Sequence, residues 1–191
     1  MNKFIKRLLF ILTLSTLGGG IGYYYTHQSS SIGRQAGPFY EYNNARDRAD
    51  VETFFAHGSE DRWWLLWDPT EYYDLDLLLL GRAPNENPLY YGTLQVKVLR
   101  ENDQLVGFTT YYKQTPTVGR ILFVAVKPEF RGRGYAKKIV EFDIAELKKM
   151  GAQKVVLFTR TQNVRAQSLY TKLGFYETSR VEGGINYEKV I

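Results

Sequence analysis

The residues best suited to do chemistry in this chain are Arg131, Gly132, Arg133, Gly134, Tyr135 and Ala136. They follow an apolar run, Arg120 to Val126, that reads as a strand. They open a segment, Tyr135 to Met150, that reads as a helix closed by Gly151. Two glycines at such a junction let the backbone come close to an anion. The first amides of a helix lack partners within it and sit at the positive end of its dipole. Arg131 and Arg133 add formal charge at the same point. The chemistry favoured is the gripping of a phosphate or pyrophosphate. A glycine turn between strand and helix also serves as a bare connection, so the loop alone leaves both readings open. Two familiar phosphate motifs are excluded. The dinucleotide fingerprint needs a third glycine where Lys137 stands, and a Walker loop needs Gly-Lys-Ser/Thr, which the chain lacks.

A second group lies downstream. Lys154 to Thr159 reads as another strand, followed by Asn163, Ala166, Leu169, Tyr170, Gly174 and Phe175 at the spacing Asn-x-x-Ala-x-x-Leu-Tyr-x-x-x-Gly-Phe. Asn163 suits a helix N-cap, and Gly174 suits a left-handed helix end. Tyr170 falls on the helix between them, either as a core aromatic or as a hydroxyl donor.

Arg-x-x-Gly-x-Ala after an apolar strand, with the Asn163–Phe175 pattern one helix and one strand later, resembles the GNAT superfamily of N-acetyltransferases over residues 90–191. The resemblance implies an α/β fold of one domain, a mixed, mostly antiparallel twisted sheet flanked by helices. It implies acetyl-coenzyme A as co-substrate and direct attack by a primary amine carried on a small molecule, peptide or protein. The strand before the loop would splay from its neighbour. The backbone of Val124, Ala125 and Val126 would then bind the pantetheine arm and polarise the thioester. Arg131, Gly132, Arg133, Gly134, Tyr135 and Ala136 would hold the pyrophosphate, with Asn163 contacting the coenzyme besides capping. Tyr170 would be the catalytic acid. With an ordinary pKa of about 10 it stays protonated and can donate to a departing thiolate.

Many relatives carry a carboxylate on the strand before the loop, and Ile121 to Val126 has none. Glu41, Asp74, Asp76, Glu129 and His57 remain as distant possibilities, each with a structural reading of its own. This gap motivates an alternative, a non-catalytic GNAT-like module that binds an acyl-coenzyme A or a partner while tethered to a membrane. A third reading is an interaction domain built on the aromatic stretch Trp63–Leu80.

Composition narrows the field. Of 191 residues, 44% are hydrophobic and 15% aromatic, which excludes a disordered chain. The absence of cysteine excludes a thiol nucleophile and a thiolate metal site. With only His27 and His57 available, no metal is expected. The net charge of +5 is unevenly spread. Residues 119–191 hold 14 Lys/Arg against 7 Asp/Glu, and residues 34–118 hold 8 against 13. The basic half carries the anion loop, and the acidic half suits a cationic acceptor. The basic residues are not interleaved with aromatics along a ribbon, so nucleic acid is not an expected partner.

Lys3, Lys6 and Arg7 precede Leu8 to Leu17, and Tyr23 to Tyr25 follow a glycine cluster. Residues 1–27 therefore read as a signal peptide or, preferably, an uncleaved membrane anchor, giving a membrane-anchored or exported protein. Residues 28–37 read as a linker and 38–191 as the acetyltransferase-like domain. Within it the patterns predict a strand at 39–42 and a helix at 45–57 with Ala49, Phe54 and Phe55 facing a core. One or two short helices follow within 63–80. A hairpin is predicted at 93–112 turning within 100–104, then a strand to Val126. A final hairpin at 176–190 turns at Gly183-Gly184.

Overall fold

Asn102 and Asp103 set the first hairpin. Both adopt positive φ, 49° and 61°, a conformation that short polar side chains tolerate. Two such residues in succession make a turn whose twist matches that of the flanking strands. The strands they join, β2 (Gln95–Glu101) and β3 (Gln104–Lys113), therefore run closer to the tip than the predicted five-residue turn allows. The computed structural model describes residues 39–66, 79 and 94–191. Residues 1–27, the 28–37 linker, Asp74, Asp76 and most of the Trp63–Leu80 stretch lie outside the described residues. Among the described residues no helix is long and apolar enough to cross a membrane.

Around this hairpin the sheet grows on both sides. β1 (Phe39–Glu41) pairs with β2, and β4 (Val118–Val126) pairs with β3. β5 (Lys154–Arg160) lies parallel to β4. β6 (Tyr176–Val181) and β7 (Gly184–Val190) close the order β1-β2-β3-β4-β5-β7-β6. Every neighbouring pair except β4 and β5 is antiparallel. This is the mixed, mostly antiparallel seven-stranded α/β sheet expected.

Among the described residues the helices that cover its faces are α1 (Asn44–Phe55), α2 (Glu60–Leu65), α3 (Tyr135–Lys149) and α4 (Val164–Lys172). On one face Val51, Phe54 and Phe55 pack with Val96, Val98, Phe108 and Phe123. On the other, Val140 and Leu147 of α3 join Tyr111, Ile121, Val155, Tyr170 and Ile185. The α1 expectation needs one correction. Ala49 is exposed, and Asp47 takes the inward position with no exposure. Asp47 is tolerated there because Arg100 of β2 donates to it at 2.6 Å, Arg46 at 2.7 and 2.8 Å, and the Asn43 amide at 2.9 Å. Every acceptor direction of the buried charge is thus filled, which is the condition for burying one.

β4 contains an irregularity that matters for the site. Its register with β3 passes from Tyr111↔Ile121 to Thr110↔Phe123, skipping Leu122. An extra residue reverses the side on which later side chains emerge. Ile121 accordingly packs on the α3 face, whereas Phe123 and Ala125 pack on the α1 face.

Candidate functional site

β4 and β5 pair only through Val118↔Lys154, Gly119↔Val155 and Arg120↔Val156. Beyond Arg120 the two strands part, and a cavity of about 1230 Å³ occupies the gap. Its walls come from Ile121–Val126 of β4, Phe158–Arg160 of β5, Trp64 to Leu66 at the end of α2, and Leu169 and Tyr170 of α4. The glycine loop lies along the same cavity.

The bulge decides which backbone groups face the gap. The Phe123 amide donates to Thr110 Oγ1 at 3.2 Å, and its carbonyl accepts from Thr109 Oγ1 at 2.9 Å, so both point to β3. The Lys127 amide also turns to β3, donating to the Val106 carbonyl at 2.8 Å. Strand alternation then directs the peptide groups of Val124 and Val126 to the cavity side. Ala125 departs from the expectation. Its own peptide groups face β3, where its carbonyl oxygen would lie 2.3 Å from a Cβ placed on Gly107. Only a glycine at 107 lets the two backbones come so close.

The loop reaches α3 through Gly132 and Gly134, at φ 76° and 85°. A Cβ at either position would meet nothing within 4 Å, so the need for glycine is conformational. Gly134 is the N-cap of α3 and offers no side chain to it. The helix start at Tyr135 and Ala136 is therefore left to whatever anion approaches. Arg133 lies over the Phe130 ring, 5.6 Å from its centroid. The Tyr135 hydroxyl donates to Glu101. Arg131 stands at the turn, but its charge is shared. It donates to Asp61 and to the Val126 carbonyl (3.0 Å), and lies 3.6 Å from Glu60. Burial pushes the Asp61 carboxyl up, and Arg131 opposes that shift. The guanidinium thus ties the loop to α2.

Asn163 caps α4, its side chain accepting from the Ala166 amide at 3.1 Å, and it lines the cavity. Tyr170 is 8% exposed, packed 5.9 Å centroid to centroid against both Phe175 and Tyr187. Burial pushes its phenol well above the ordinary tyrosine range. It remains a proton donor at neutral pH, and it borders the cavity. The site residues expected from sequence are brought to one cavity or to its loop, although Ala125 and Arg131 differ in orientation. Sequence reasoning missed Arg160. It donates to the carbonyls of Trp63 (2.6 Å) and Leu66 (2.7 Å) and lies 4.3 Å from the centroid of the Trp63 ring. Those partners are more than ninety residues away in sequence, so no local signal announces them.

A family model described as the acetyltransferase (GNAT) family matches residues 41–175, well over half of the chain. The chain belongs to the GNAT acetyltransferase family. Mycothiol acetyltransferase from Corynebacterium glutamicum is 30% identical over 100 residues, covering 52% of this chain and 33% of its own length. The chain thus spans about a third of that relative. Ard1 from Thermoplasma volcanium has a similar fold, with a TM-score of 0.59 at 21% identity over 82% of this chain and 99% of that one. A Bacillus subtilis acetyltransferase in complex with CoA aligns with a TM-score of 0.50 at 20% identity, over 63% and 95%. In this GNAT chain the parted strands, the glycine loop and the two-motif order are the features that sequence and fold share. Among the described residues no group of His, Asp and Glu could hold a metal ion.

Proposed function

We propose that this protein transfers an acetyl group from acetyl-coenzyme A to a primary amine. The observation that carries the reading is the three-rung pairing of β4 and β5, which opens onto a cavity lined by both the glycine loop and Tyr170. In this reading the coenzyme, known in complex with a structural relative, lies with its pyrophosphate against the α3 start. Val124 and Val126 present peptide groups to its extended arm and to the thioester carbonyl, where charge develops. The neutral amine attacks that carbonyl, the C–N bond forms, and the C–S bond breaks. The proton shed by the amine nitrogen passes to solvent, from which the tyrosine is afterwards reprotonated. Tyr170, kept protonated by burial, gives its proton to the departing thiolate. Isothermal titration of the full chain with acetyl-coenzyme A, followed by thiol release across a panel of amines, tests this. Absence of binding by folded protein refutes it.

One observation favours a second reading. The carboxylates lining the cavity among the described residues, Glu60 and Asp61, are both engaged by Arg131. A module that binds the coenzyme without turnover fits that arrangement, and it predicts binding with no thiol release. Residues 1–27 are proposed to anchor the protein to a membrane. Protease protection of a tagged full chain distinguishes an anchored from a released domain and shows which side it faces.

A further inference from the structure

Asp143 is a buried carboxyl that the proposed reaction leaves unused. It lies on α3, on the side packed against the sheet, with no exposure. Its Oδ2 is 2.6 Å from Thr109 Oγ1, and its Oδ1 has no partner. Thr109 Oγ1 is also 2.9 Å from the Phe123 carbonyl oxygen. A hydroxyl carries one proton. Two oxygens at hydrogen-bond distance from it require two, and a peptide carbonyl has none to give. The Thr109 proton therefore goes to Phe123, and the proton of the shorter contact must come from Asp143. The orphaned Oδ1 agrees, since an ionised carboxylate with a bare, fully buried oxygen is far more costly than a neutral acid.

We propose that Asp143 is a positioning residue: held as the neutral carboxylic acid, it donates to Thr109, directs the Thr109 proton to the Phe123 carbonyl, and so fixes the bulge that aims Val124 into the cavity. Phe123 is gripped at both ends by β3 side chains, its amide by Thr110 and its carbonyl by Thr109. Asp143 is the far anchor of that grip. The titratable groups around it are Glu146 on its own helix, Tyr111 on β3 and Tyr170 on α4. None is a cation, and among the described residues no ion pair reaches it. Burial, the main influence, raises its carboxyl well above the carboxylate range. The link from the bulge to coenzyme binding rests on the function proposed above, whereas the proton assignment does not.

The test uses Asp143→Asn in the full chain, because the amide can donate to Thr109 without ionising. Infrared spectra at neutral pH should show the carbonyl band of a protonated carboxylic acid in the wild type, and the variant should lack it. No such band in the wild type overturns the proposal. The sign of the stability change follows from the raised pKa. The unfolded aspartate ionises near pH ~3.9, while the folded one keeps its proton. Stability is therefore full below that point and is lost as pH rises towards the folded pKa. The wild-type unfolding constant should grow relative to that of Asp143→Asn by up to about tenfold per pH unit above pH ~4. A ratio moving the other way overturns the proposal. Acetyl-coenzyme A affinity should stay within about twofold in Asp143→Asn and fall about tenfold in Asp143→Leu, the worth of one lost hydrogen bond. Equal losses in both refute the positioning role. Should Asp143→Leu fail to fold, Thr109→Val removes the same link. Failure of the wild type to bind the coenzyme would refute the enzyme reading, and the infrared band would still decide the proton.

Discussion

Replacing Gly107 by alanine tests the close approach of β3 and β4. A Cβ at 107 would lie 2.3 Å from the Ala125 carbonyl oxygen, 3.2 Å from the Val126 Cα and 3.3 Å from the Ala125 carbonyl carbon. The shortest ordinary carbon–oxygen contacts are about 3.3 Å, so the first of these is roughly 1 Å too close. All three atoms are backbone, and no rotamer change relieves them. Overpacking of this kind costs about 1–3 kcal/mol. Alanine returns about 0.5–1 kcal/mol by losing less chain freedom than glycine in a strand. The expected net destabilisation is about 2 kcal/mol, near the upper part of the range because the obstacle cannot rotate away. With a urea m-value of about 2 kcal/mol/M, the unfolding midpoint should fall by about 1 M. The strand that must retreat carries Val124 and Val126, so acetyl-coenzyme A affinity should fall in the same variant. A midpoint equal to wild type would refute the packing argument. A lower midpoint with unchanged affinity would refute the assignment of these residues to the coenzyme.

Three further outcomes are expected. Tyr170→Phe should lower thiol release by about a hundredfold or more while isothermal titration shows unchanged coenzyme affinity, as removal of a general acid predicts. Gly134→Trp should abolish coenzyme binding in titration while circular dichroism shows the fold intact, since the position is open but must keep φ 85°. Asp47→Ala should destabilise by about 1–3 kcal/mol in chemical denaturation, because it removes the buried acceptor shared by Arg46 and Arg100, while both arginines stay partly solvated.

The elements that position the site are readable locally. The strand before the loop, the helix after it and the Asn163 cap each announce themselves within a few residues. Their observed bounds, Val118–Val126, Tyr135–Lys149 and Val164–Lys172, lie close to the expected ones. What the sequence conceals is set by partners far along the chain. Asp47 is buried rather than Ala49 because Arg100, 53 residues later, completes its hydrogen bonds. The skipped Leu122 depends on Thr109 and Thr110 of the neighbouring strand, and Asp143 stands 34 residues from Thr109. The commitment of Arg131 to Asp61 spans 70 residues. Periodicity reports which face of an element is apolar. It carries no information about which polar group will be waiting there.

The early parting of β4 from β5 has a consequence for what can pair with the strand it leaves open. A sheet with unsatisfied backbone along an outer strand invites a second chain to add itself. Here such a row lies inside the sheet, walled by β5 and by the end of α2. A single extended arm bearing amides of its own can lie along such a row without bringing a second sheet with it. The gap works as a width gauge, admitting the missing strand only in the form of something one chain thick.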